Sequence, residues 1–277
     1  MAAISFRAAA GEPERASALA DDLLARLEPA APARLEALTL RVFLDIDHGE
    51  DVLGRALAEV ADDRWWRGRL LELLGWLLAT YRGDLERGRL LGEEALAIAL
   101  EDGDADLEML ASATVSTAAL LSGRPRPGLV ERAVELGEVH EPPRLGRWPP
   151  LFLARHCLWG GDLERARAVF ESMRAAFSAR GIEFQRPYRL SDLALVEVSA
   201  GRLDDAAALL DDALEAALDA GNRQAAVWRH YPAGLLAAHR GHRQDATTAA
   251  TALTSWGRDH HQPPRRLMGQ HLSLIHI

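Results

Sequence analysis

The chain has no lysine: all 32 of its basic residues are arginine. This excludes a phosphate-binding loop of the G-x-x-x-x-G-K-[ST] type and any Schiff-base lysine. Cys157 is the only cysteine, so no internal disulfide can form and no C-x-x-C motif exists. It falls in a helical stretch beside Leu158 and Trp159, where a buried thiol is the expected reading and a nucleophile is not. Asn222 is the only asparagine. The abundance of alanine, glycine and arginine, with no lysine and a single asparagine, suggests a GC-rich bacterial genome. No G-x-G-x-x-G or H-E-x-x-H occurs, and no apolar run is long enough to span a membrane. Residues 1–7 have neither a basic start nor a sustained apolar region, so no signal peptide is expected. The expectation is a cytoplasmic protein.

Charge is divided unevenly. Residues 1–222 carry 25 arginines against 39 acids, a net −14. Residues 223–277 carry 7 arginines against 2 acids, a net +5, and 7 of the 10 histidines. The acidic body argues against direct nucleic-acid binding. The basic end shows no helix-turn-helix and reads as a join to another part of a protein or as a solvated helix face.

Against these absences stands a repeat. Gly11, Gly49, Gly83, Gly123, Gly161, Gly201 and Gly241 are spaced by 38, 34, 40, 38, 40 and 40 residues. Five places after each comes a small residue: Ala16, Gly54, Gly88, Gly128, Ala166, Ala206 and Ala246. A period of this length indicates stacked helix pairs. Apolar residues at three- and four-residue steps flank the glycines, as in 70–81 and 206–214, which predicts helix A, a tight turn and helix B. The predicted fold class is all-α, a right-handed solenoid of about seven antiparallel helix pairs.

Glycine suits the end of helix A because it takes the left-handed conformation without a steric penalty. Gly83, Gly161, Gly201 and Gly241 define this position, and Ala166, Ala206 and Ala246 the close approach of the two helices. Asp84 and Asp162 are placed to accept bonds from the free amides of helix B, and Glu86 and Glu164 to meet its positive end. Gly103, Gly181 and Gly221 lie 20 residues after Gly83, Gly161 and Gly201 and mark the end of helix B. Asp104 and Asn222 follow as caps of the next helix.

No grouping demands a particular chemistry, so no catalytic residues, cofactor or metal are assigned, and the chain is not read as an enzyme. His239/His242 and His260-His261 lack the further ligands that a metal site needs. Asp62-Asp63, Asp204-Asp205 and Asp211-Asp212 fit helix starts and polar faces. Trp148, Tyr188 and Trp228 are spaced 40 residues apart, so stacked repeats would align them. With Arg155, Arg189 and Arg229 they form a candidate partner-binding stripe. The plainer reading, that the aromatics wedge between helices, stands beside it and is favoured. Of Trp65-Trp66, one is expected in the core and one more exposed.

The expected organisation is helical repeats over 1–141, a Pro-rich interruption at 142–150, further repeats over 151–262 and a disordered tail at 263–277. Residues 272–277 match the translation of a transposon end used in sequencing libraries, so an adapter artefact is expected there. The first and last pairs both look cut.

The Gly-Asp turn followed by Ala166 and Phe170 in one copy, and Ala206 with Leu210 and Ala213 in another, resemble tetratricopeptide repeats, with longer helices. More specifically, Gly11-Glu12-Pro13-Glu14-Arg15-Ala16, the segment 158–167 and the segment 200–206 resemble the helical-repeat region of the large ATP-binding LuxR-type regulators of actinobacteria. The resemblance covers about residues 7–260. It implies a sensor and coupling scaffold in a transcription regulator whose ATPase and helix-turn-helix modules are not in this chain. A protein, peptide or small effector would bind in the groove. The alternative is a stand-alone adaptor or peptide receptor.

Overall fold

The computed structural model describes residues 13–28, 31–60, 62–137 and 148–275. All regular elements among them are helices. Contacts divide the chain into two compact units, residues 1–152 and 153–277.

In the first unit, α1 (Pro13–Arg26) and α2 (Pro32–Leu44) pack through Ala16, Ala20 and Leu40. Then follow α3 (Gly49–Glu59), α4 (Arg64–Leu77), α5 (Leu85–Asp102), α6 (Ala105–Leu121) and α7 (Leu129–Gly137). Leu71, Ala95, Ile98, Ala99, Leu107 and Ala111 join α4, α5 and α6 in one core. Residues 111–119 of α6 are buried without a break, because helices cover it on several sides. Its Ser112, Thr114, Ser116 and Thr117 are buried too, and Thr117 Oγ1 donates to the Ala113 carbonyl at 2.8 Å. Trp66 is in the core and Trp65 is exposed, with the Arg69 guanidinium 3.9 Å over its ring.

In the second unit, α8 (Pro149–Gly160, which begins in the first) precedes α9 (Leu163–Ala179), α10 (Arg186–Ser199) and α11 (Leu203–Asp219). Next come α12 (Arg223–Trp228), α13 (His230–His239), α14 (Arg243–Asp259) and α15 (Pro263–Leu274). Ala194, Val198, Ala206, Leu210 and Leu236 form one core, and Ala249, Ala250, Leu253 and Leu272 another. The break between α12 and α13 has a local cause. Pro232 has no N–H to offer the carbonyl of Trp228 one turn earlier. Cys157 is buried.

The turns follow the sequence chemistry closely. Gly83, Gly161, Gly201 and Gly241 have φ of 69°, 86°, 76° and 74°. The next amide reaches back into the helix, as from Asp162 to the Cys157 carbonyl and from Arg202 to that of Glu197, both at 2.9 Å. At Gly83 it reaches one residue further, to Leu78 at 3.1 Å, because a π-helical turn over Leu78–Arg82 widens the end of this helix. The carboxylates of Asp84, Asp104 and Asp162 and the amide oxygen of Asn222 each accept the N–H three residues on, at 3.0–3.2 Å. Gly103, Gly181 and Gly221 are also left-handed. Ala166, Ala206 and Ala246 are fully buried.

The glycine register departs from expectation in three places. Gly11 lies outside the described residues. Gly49 does not end a helix; it opens α3 with φ −58°. The chain turns instead through a 3-10 segment, Ile46–His48, closed by Asp45, whose carboxylate accepts the His48 N–H at 3.4 Å. Gly54 is consequently exposed, and Leu53 and Ala56 take the buried positions. At the fourth turn, residues 124–128 form a longer connection, and Gly128 is a left-handed turn residue (φ 87°). Ala133 packs in its place.

Two segment expectations also change. Of the interruption at 142–150, residues 142–147 lie outside the described residues, and Pro149 and Pro150 open α8. Proline suits a first turn, whose amides need no partner within the helix. The expected tail at 263–277 is α15 as far as Leu274. Leu272 is fully buried over Gly234, where an added Cβ would stand 2.5 Å from Leu272 Cδ1.

Candidate binding site

Residues of α8, α10, α12 and α15 meet in one polar cluster within the second unit. Arg189 and Asp192 stand three apart on α10 and so share a face. Arg189 Nη2 is 3.1 Å from Asp192 Oδ2. The Trp228 Nε1–H, at the end of α12, donates to Asp192 Oδ1 at 3.2 Å. Arg155 of α8 brings Nη2 to 3.6 Å from the same oxygen, with its guanidinium carbon 5.1 Å from the Trp228 ring centre. Arg265, in the first turn of α15, lies over that ring at 3.9 Å.

Arg189 is only 3% exposed, yet its Nε and Nη1 have no hydrogen-bond partner. Each buried donor left so costs about 1–3 kcal/mol. Burial pushes the guanidinium below its ordinary range; Asp192 draws it back, and Arg155 adds to the depression. One carboxylate is thus shared by two guanidinium groups, one almost fully buried and one partly exposed.

The sequence stripe is only partly gathered here. Arg155, Arg189 and Trp228 come together. The half-buried Tyr188 turns away, and its O–H donates to Asn222 Oδ1 at 3.3 Å. Arg229 faces α11 instead, where its Nε–H donates to the Leu210 carbonyl at 2.7 Å. Burial lowers its affinity for its proton, against the pull of Asp211. Trp148 lies in the first unit, half-buried, with its carbonyl accepting the Leu151 N–H at 2.9 Å. Asp192 and Arg265 were not in the stripe. An acid three places after Arg189, within the apolar run 190–198, was the available signal for Asp192. Arg265 was hidden by the expectation of a disordered tail.

Other polar groups in the interior tie helices together. Glu197 of α10 is bridged by Arg167 of α9 and by Arg202. Burial raises its carboxyl above the usual range, and Arg167 opposes this. In the first unit, Thr114 Oγ1 donates to the buried Glu72 at 2.7 Å. A surface groove of 390 Å³ between α4 and α5 contains Arg64 and Arg67. Acids of α5 hold both: Asp102 meets Arg64 at 2.9 Å and Glu94 meets Arg67 at 2.6 Å. Among the described residues no group of three or more His, Cys, Asp or Glu side chains is placed to hold a metal ion. No helix there is long and apolar enough to cross a membrane.

No family model matches the chain, and no curated protein matches it at a significant level.

Proposed function

We propose that this chain is a non-catalytic helical-repeat scaffold, a right-handed solenoid of about seven helix pairs that binds a protein, peptide or small effector. The observation that carries the reading is the cluster around Arg189. Its members lie on four helices at intervals of 34 to 39 residues, close to the repeat period, and leave donors unsatisfied in a fixed position. Arg189 keeps two such atoms, where Arg167 and Arg202 at the Glu197 bridge keep one each.

In this reading the scaffold belongs to a large LuxR-type regulator. It would couple binding at the cluster to ATPase and DNA-binding modules elsewhere in the polypeptide, in the cytoplasm. The support is the run of Gly-Asp turns and the segments 158–167 and 200–206. The test is to sequence the source gene across both ends of this reading frame without a transposon library. A lysine-containing phosphate loop upstream and a helix-turn-helix downstream are expected. A start codon at Met1 and a stop after Ile277 would overturn the regulator reading and leave a free-standing adaptor.

A further inference from the structure

We infer that the cluster of Arg155, Arg189, Asp192 and Trp228 is an oxyanion site, built to take a carboxylate or phosphate group of a small ligand beside Trp228. The inference rests on the scaffold reading in taking this face as the ligand side.

Three observations lead to an anion. Asp192 is one negative charge set between two guanidinium groups, so the cluster holds one positive charge more than it balances. Arg189 keeps two donor atoms without an acceptor while almost fully buried. An acceptor carrying negative charge corrects both deficits, and the low dielectric that makes them costly strengthens its binding. Third, the side chains around Arg155 are fixed before any ligand arrives. Trp228 is tied to Asp192 by its Nε1–H and covered by Arg265, and helix packing sets the rest.

Arg155 is the entry point. Its side chain is 18% exposed, against 3% for Asp192, and it stands 3.6 Å from that carboxylate, outside hydrogen-bond distance. It can therefore turn its planar fork to an incoming anion without breaking a hydrogen bond to Asp192. Arg189, behind it, offers the same anion its two unpaired donor atoms. The rival clusters do not have this form. Glu197 joins both arginines that face it, each of which keeps one donor atom without a partner against two on the more deeply buried Arg189, and the arginines of the α4–α5 groove are held by α5 acids.

The experiment uses the full chain with sodium succinate and inorganic phosphate as probes, against sodium chloride at matched ionic strength. Thermal melts and calorimetric titration are the readouts. The expected result is saturable binding, with Tm raised by about 5 °C well above Kd. The anion that saturates at the lower concentration tells carboxylate from phosphate. Arg155→Gln, which changes a partly exposed side chain, is expected to keep the helical signal and weaken binding by about tenfold. Arg189→Met is expected to abolish it. Stabilisation no greater than in chloride, or equal binding by wild type and Arg155→Gln, would overturn the oxyanion site. The scaffold reading fails separately, by a compact shape in solution, whatever the anions do.

Discussion

Gly75 and Gly88 face each other across α4 and α5, each occupying the space a side chain of the other would need. A Cβ on Gly88 would lie 2.7 Å from the Gly75 carbonyl oxygen, and a Cβ on Gly75 would lie 2.8 Å from that of Gly88. Backbone cannot swing aside as a side chain can, so the helices must part. Gly88→Ala is expected to destabilise the chain by about 1–2 kcal/mol, overpacking outweighing the better helix propensity of alanine. Gly54 supplies the control. An added methyl there meets nothing within 4 Å, and Gly54→Ala should raise stability by about 0.5–1 kcal/mol. Chemical denaturation of both variants checks the pair; equal effects would refute the close-approach argument.

His261 continues the second glycine ladder without a glycine. It stands 20 residues after Gly241, as Gly103, Gly181 and Gly221 stand after theirs, and it takes a left-handed conformation with φ 47°. A side chain there costs about 1–2 kcal/mol. His261→Gly should therefore raise Tm by about 2–4 °C, while Gly221→Ala, at φ 58°, should lower it. Thermal melts followed by circular dichroism read both; a fall in Tm for His261→Gly would show that its side-chain contacts outweigh the strain.

Asp104 links turn chemistry to pH. Its carboxylate caps α6 through the Leu107 amide at 3.0 Å and pairs with Arg69 at 2.7 Å. Burial raises the carboxyl, but Arg69 and the Leu107 amide outweigh it and leave it below its ordinary value. The unfolded chain therefore binds this proton first as pH falls. The contribution is fully present above about pH 4 and is lost as pH drops through the lower folded value. Asp104→Asn keeps an oxygen for the cap and loses the pair. It should cost about 0.5–1 kcal/mol at pH 7, after solvent screening, and less at an acidic pH where the folded carboxylate takes up its proton. Denaturation at both pH values checks the convergence; a constant gap would place the loss in the cap.

Local chemistry made most of the turns legible. A glycine, an aspartate and an acid within five residues settle where one helix ends and the next begins at Gly83 and Gly161, while Gly201 turns with Arg202 in the cap place and no side-chain cap. The register failed at Gly49 because Asp45 closes the turn by another means, a side chain that outcompetes the glycine solution. Residues 263–274 were misread because Pro263-Pro264 is a breaker inside a helix and a starter at its first turn, and only the packing of Leu272 decides between them. The candidate site was half visible. Arg155, Arg189 and Trp228 share the repeat period, while Asp192 and Arg265 join them through contacts 36 and 37 residues from Trp228. Tyr188 and Arg229 instead donate to Asn222 and to the Leu210 carbonyl, partners that the 40-residue spacing does not show.

The proposed stacking of the helix pairs into a solenoid is tested most directly by small-angle X-ray scattering of the whole chain. A compact globule of this length has a radius of gyration of about 19 Å. The scaffold predicts a value clearly above that, with a distance distribution skewed to long vectors. A radius near the compact value with a symmetric distribution would contradict it.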